Sequence, residues 1–200
     1  NIFTEINLDV KQDHTSSTQV FEIIKILNYK GKKEYSDIKL TYLGTYEKIK
    51  LGNCFSIDPK GKRIPIPKNQ IYDLNTRQSI MNPLINFRQK IINFPKIEPG
   101  YYIVLDFNLT SSWKEPPKGI EHFQSSNPIL HKRFSIKFPK KMQLNYHFDT
   151  KKLSFIKRST HKQNIYTWEI KNSKIIKQEN NTPIYLISGI PLVYSFYKDW

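Results

Sequence analysis

The chain has 200 residues, a formal net charge of +15, 38% hydrophobic and 14% aromatic content, and a single cysteine. That length suits one domain or two small ones and is enough to bury a core without staples; the lone Cys54 excludes an internal disulfide, and the lack of any apolar run near ~18 residues excludes a membrane-spanning helix. Ile, Asn, Lys and Tyr abound and Ala is absent, a mixture that disfavours long helices and favours pleated, half-buried strands.

Phe3 to Val10 alternates and predicts a first strand, followed by a polar turn at Asp13–Ser17. Val20 to Leu27 is an apolar run ended by Asn28-Tyr29-Lys30-Gly31-Lys32. Ile38 to Leu43 alternates, and Ile49 to Ile57 reads as one further strand holding Cys54. Asp58-Pro59-Lys60-Gly61-Lys62 has turn chemistry and predicts a hairpin into Arg63–Ile66, with Pro65 and Pro67 confining that arm to an edge. Ile71 to Pro83 is the least strand-like stretch, where Asp73 is expected to cap a short helix from Leu74 to Ile80. Phe87–Phe94 resumes the extended pattern, and Glu98-Pro99-Gly100 turns into a strand from Tyr101 to Leu109. Ser111 to Ser126 reads as a long loop with Trp113, Pro116, Pro117 and Gly119. Ile129–Phe138, Leu144–Phe148, Leu153–Lys157, Ile165–Ile170, Ile184–Ile187 and a last extended segment to Trp200 complete the chain. About a dozen short strands at intervals of roughly 8–12 residues predict an all-β fold, a two-sheet antiparallel β-sandwich with at most one short helix. The loop at Trp113 is where two subdomains would divide, but similar patterning on both sides leads to a single domain over 1–200.

The residues suited to chemistry are sparse. Cys54 sits in an apolar pattern with no helix N-terminus or base beside it, so it reads as a small buried hydrophobe rather than a nucleophile. His14, His122, His131, His147 and His161 show no ligand spacing, although His122 and His131 flank the long loop. Asp106, Glu115 and Glu121 surround the Trp113 loop and with His122 would make a paired-carboxylate hydrolase site, of the glycosidase kind, although sequence spacing does not establish a carboxyl separation; no metal or cofactor is expected. Phe134, Phe138, Tyr146, Phe148 and Trp168 are expected to face inward. Lys outnumbers Arg, which stands only at positions 63, 77, 88, 133 and 158. A Lys surplus beside Ile and Asn reads as compositional bias more than nucleic-acid recognition, for which Arg is better suited. The clusters Lys132-Arg133, Lys137, Lys140-Lys141, Lys151-Lys152 and Lys157-Arg158 to Lys162 keep an alternative open, a binding module for an anionic polymer or glycan.

An ordered set of segments carries a resemblance. These are Phe21-Glu22-Ile23-Ile24-Lys25-Ile26-Leu27, Thr41-Tyr42, Glu47-Lys48-Ile49-Lys50-Leu51 and Ile57-Asp58-Pro59-Lys60-Gly61-Lys62. Further on come Phe94-Pro95-Lys96-Ile97-Glu98-Pro99-Gly100, Tyr166-Thr167-Trp168-Glu169-Ile170-Lys171-Asn172, and Ile190-Pro191-Leu192-Val193-Tyr194 leading to Trp200. From about Ile6 to Trp200 the chain resembles a bacterial domain of unknown function that lies immediately N-terminal to transglutaminase-like domains of the papain-related cysteine hydrolase fold. The resemblance implies a non-catalytic accessory domain, with a Cys-His-Asp set downstream and with that downstream domain as partner. It implies no cofactor and favours the cell envelope or periplasm. The missing initiator Met reads as an excised or processed piece. Trp113, in its Ser/Pro-rich loop, together with Tyr194 and Trp200, are the candidate interdomain or ligand contacts.

Overall fold

The computed structural model describes residues 1–81, 86–176 and 190–198. Among these residues fifteen strands and two short helices, one helix more than expected, run in chain order: β1 (Phe3–Val10), β2 (Ser16–Lys25), α1 (Tyr29–Tyr35), β3 (Asp37–Leu43), β4 (Glu47–Leu51), β5 (Phe55–Ile57), β6 (Arg63–Pro65), β7 (Ile71–Asn75), α2 (Arg77–Met81), β8 (Phe87–Asn93), β9 (Tyr102–Ser111), β10 (Lys118–His122), β11 (Ile129–Pro139), β12 (Asn145–Phe148), β13 (Ser154–Ser159), β14 (Gln163–Ser173) and β15 (Pro191–Ser195). A 3-10 turn, Lys68–Gln70, precedes β7. The all-β class holds. Among the described residues the strands make three hydrogen-bonded sheets rather than the expected two, and the chain gathers into two compact units, each with a core of its own. Unit 1 takes Asn1–Thr18 and the chain from Trp113 onward, and unit 2 is Gln19–Ser112. The second crossing falls at the head of the Trp113 loop, where the sequence placed a division had there been one.

In unit 1 the strand order β13-β14-β11-β1 forms one layer and β10-β15-β12 the other. β1 runs parallel to β11, pairing Thr4 with Lys132 and Asp9 with Lys137, while β14 lies antiparallel on the other side of β11. Period-two alternation turns Leu8 and Val10, then Phe134, Ile136 and Phe138, then Trp168 to one face. Leu192, Tyr194, Tyr146 and Phe148 of the smaller sheet pack against them. Trp168 is fully buried and stacks on Phe155 at 4.9 Å, with Tyr146, Phe148 and Tyr166 edge-on around it. Such ring pairs contribute about 0.5–1.5 kcal/mol each beyond the area they bury. The strand at Ile184–Ile187 expected from the sequence lies outside the described residues.

In unit 2 the order β2-β9-β5-β6, with β4 on β9, faces β3-β8-β7. Ile24, Ile26, Ile92, Phe94, Ile97, Ile103 and Leu105 fill the space between them. Three local elements differ from the sequence expectation. The polar stretch after Leu27 is helix α1, capped by Asn28, whose side chain accepts the Gly31 N–H. The run Ile49–Ile57 breaks into β4 and β5, because the Asp106 side chain occupies the space that a Cβ at Gly52 would fill, 2.3 Å from Oδ2. Asp73 lies within β7, and the cap of α2 is Thr76, whose hydroxyl accepts the Ser79 N–H at 3.3 Å.

Candidate functional site

β10 falls inside the stretch the sequence read as loop. Its ends explain why it forms: Phe123, just past it, is fully buried, and Pro117 just before it accepts the Phe196 N–H at 2.9 Å. Across the β10–β15 pairing, Gly119 lies opposite Tyr194. A side chain at position 119 would meet the Tyr194 ring, with a Cβ 2.7 Å from Oη and 2.9 Å from Cζ. Glycine here lets the phenol lie over the neighbouring strand, a close approach no other residue permits. Burial first, and then the Glu121 charge, push the Tyr194 phenol up to about 12, so it stays a neutral hydroxyl at physiological pH.

The space around that ring is an open groove of about 630 Å³ lined by Lys118, Gly119, Ile120, Val193, Tyr194 and Tyr197, together with Ser195. The volume lies within the ~300–1,000 Å³ typical of small-ligand clefts, and the lining has the mainly apolar character those clefts share. Ile120, at 59% exposed, and Lys118 stand on the solvent face of β10. The Lys118 ammonium lies 5.2 Å from the centre of the Tyr197 ring, and the Tyr197 hydroxyl donates to Glu115 at 3.4 Å. Ser195 Oγ accepts the Tyr197 N–H at 3.1 Å, which fixes that turn.

The predicted site residues scatter. Tyr194 lines the groove. Trp113 is 41% exposed in the loop before β10 but does not line the groove, and Trp200 lies outside the described residues. The carboxylates are engaged locally: Asp106 accepts the Asn53 N–H at 3.1 Å, Glu121 pairs with Lys132, and Glu115 holds Tyr197. His131 pairs with Glu169 and meets Phe3 edge-on, whereas Lys132 bonds the His122 carbonyl at 2.8 Å. His147 and His161 are exposed, and among the described residues no three His, Cys, Asp or Glu side chains cluster as metal ligands. Cys54 is half-buried in the break between β4 and β5; its thiol donates to the Asp106 carbonyl at 3.2 Å, and burial pushes its pKa up.

Several basic positions are neutralised in place. Arg133 pairs with Glu5 and Glu169, Lys137 with Asp9 at 2.6 Å, and Lys152 with Asp149. Lys11, Lys137 and Lys162 line a smaller cleft of about 240 Å³. Lys157 lies 5.3, 5.4 and 5.0 Å from the ring centres of Tyr146, Phe155 and Tyr166.

A network that the sequence reading missed joins three strands of unit 2. The Asp73 carboxylate accepts from the Tyr42 hydroxyl at 2.7 Å, Arg88 Nε at 3.0 Å and Lys90 Nζ at 2.7 Å. The alternation Ile71, Asp73, Asn75 was the available signal; it puts Asp73 opposite Lys90 and Asn75 opposite Arg88.

A solved structure described as a "putative protease" from Parabacteroides distasonis shares this fold, with a TM-score of 0.90 at 15% sequence identity over 98% of the chain. The chain spans 40% of the length of that protein. No curated protein matches it. The family model for DUF3857, a domain of unknown function with a solved structure, matches residues 12–177, and the chain belongs to that family.

Proposed function

We propose that this chain is a non-catalytic accessory and interaction domain of a transglutaminase-like protein of the cysteine hydrolase superfamily. It engages a partner domain of the same polypeptide through the groove beside Tyr194. One observation carries the reading: an apolar, outward-facing groove stands on a layer locked to an aromatic core. Ile120 projects from β10, while Leu192 and Phe123 directly behind it are fully buried. Exposed apolar surface of this kind marks interaction sites more often than chance exposure does. The length relation to the solved structure supports the same reading, since a domain of this fold occupies only 40% of that chain.

The test is Ile120→Glu in the parent polypeptide, read as peptide hydrolysis or cross-linking. Activity is expected to change while residues 1–200 keep their wild-type melting profile. Unchanged activity with an unchanged melt would refute the reading.

A further inference from the structure

On one side β10 pairs with no strand among the described residues. It ends the order β10-β15-β12, so among the described residues only one of its edges is paired. The backbone bonds at its two ends determine which groups face outward. Phe196 donates to the Pro117 carbonyl and Phe123 donates to the Ile190 carbonyl, both at 2.9 Å. Bonded pairs alternate along an antiparallel ladder. Gly119 and Glu121 therefore turn their amide groups toward β15, and Lys118, Ile120 and His122 turn theirs away from it. The Lys132 ammonium covers the His122 carbonyl. The N–H and C=O of Lys118 and Ile120 have no partner among the described residues.

The residues that offer these backbone groups also offer side chains to the groove. Ile120 supplies apolar surface and Lys118 a cation. Lys118 rests on the Tyr197 ring and forms no ion pair among the described residues, unlike Lys132 at the other end of the strand. A row of backbone groups unpaired among the described residues, beside an apolar groove, is the geometry of strand addition, in which main-chain bonds supply affinity and pockets read alternate side chains. An ammonium with no ion pair among the described residues, on a chain of net charge +15, selects a negative side chain at the facing position.

We propose that β10 accepts an added strand: an extended segment of a partner polypeptide with apolar residues at alternate positions and a carboxylate set against Lys118. This goes beyond the accessory-domain reading and holds whether or not the partner is a transglutaminase-like domain.

The test uses the 200-residue chain and two labelled peptides of alternating Val and Thr, one carrying a central Asp and its twin a Lys there. Fluorescence anisotropy gives affinity, and amide hydrogen exchange gives location. The acidic peptide is expected to bind about tenfold more tightly than its twin, with Lys118→Glu reversing the preference. Exchange should slow at the Lys118 and Ile120 amides. Ile120→Pro removes one outward N–H at a position where an edge strand tolerates proline; it should abolish binding without changing the melt. Equal affinity for the two peptides, no binding, or binding without slowed exchange at Lys118 and Ile120 would overturn the proposal. So would self-association of Lys118→Gln in place of peptide binding, since lysine would then be guarding the edge rather than reading a partner.

Discussion

Gly119→Ala is the sharpest probe of the groove. Two effects oppose each other. Alanine restricts the unfolded chain and suits a strand better, which contributes about 0.5–1 kcal/mol of stability. Its Cβ, however, would lie 2.7 Å from Oη, 2.9 Å from Cζ and 3.1 Å from Cε1 of Tyr194. That ring packs on the core beside Phe134 at 5.5 Å between centroids, so it cannot swing aside like the end of a flexible chain. Overpacking of this kind costs about 1–3 kcal/mol. The clash wins, and the net loss is on the order of 1–2 kcal/mol, or roughly 2–8 °C in melting temperature for a chain of this size. Calorimetry and denaturant titration would measure it on the single variant, on Tyr194→Ala and on the double variant. In the Tyr194→Ala background Gly119→Ala should become neutral or stabilising, giving a coupling energy of about 1–3 kcal/mol. Additive effects, or a stabilised single variant, would refute the packing account.

Three further outcomes are expected. At Asp73, burial alone would raise the pKa, but the hydrogen bonds from Lys90, Tyr42 and Arg88 together hold it below the usual carboxylate value. A depressed folded value means the stabilisation is fully present above the unfolded pKa of about 4 and fades as pH falls through the folded one. Asp73→Asn should therefore cost on the order of 1 kcal/mol near neutrality, a modest figure for a partly exposed pair, and nothing in strong acid; a pH-independent difference in denaturation midpoint would contradict this. Trp168 is wholly buried and its Nε1 has no hydrogen-bond partner among the described residues. Trp168→Ala should cost about 3–5 kcal/mol. Trp168→Phe should cost clearly less, because it also deletes an unpaired buried donor whose burial costs about 1–3 kcal/mol; equal losses in chemical denaturation would count against that. Cys54 should react slowly with a disulfide reagent at neutral pH and rapidly once the chain is unfolded, because burial raises its pKa. Fast labelling of the native chain would contradict this.

The strands whose side chains alternate cleanly were legible from the sequence. Phe134, Ile136 and Phe138 point inward as their spacing implies, and so does Trp168. The hairpin turn at Asp58 was also legible, since its carboxylate gathers the Lys60 and Lys62 amides as turn chemistry predicts. What failed depends on distant partners. β10 is a five-residue strand among prolines, serines and a glycine, and its only described partner, β15, begins at Pro191. The parallel pairing of β1 with β11 leaves no local trace, because parallel neighbours need no shared turn. Asp73 read as a cap because Asp favours caps in general; in the fold it lies in β7 opposite Lys90 and pairs with both Lys90 and Arg88 of β8. Of the candidate site, Tyr194 was legible as an aromatic near the last strand, but its groove was not. The groove depends on Gly119 lying opposite Tyr194, a register that only the folded pairing reveals.

The most direct test of the accessory-domain account is amide hydrogen exchange on residues 1–200 alone and within the parent polypeptide. Added protection in the parent is expected to concentrate at Lys118 and Ile120 and along Val193–Tyr197, with the rest of the chain little changed. Identical exchange along β10 and β15 in the two samples would contradict it.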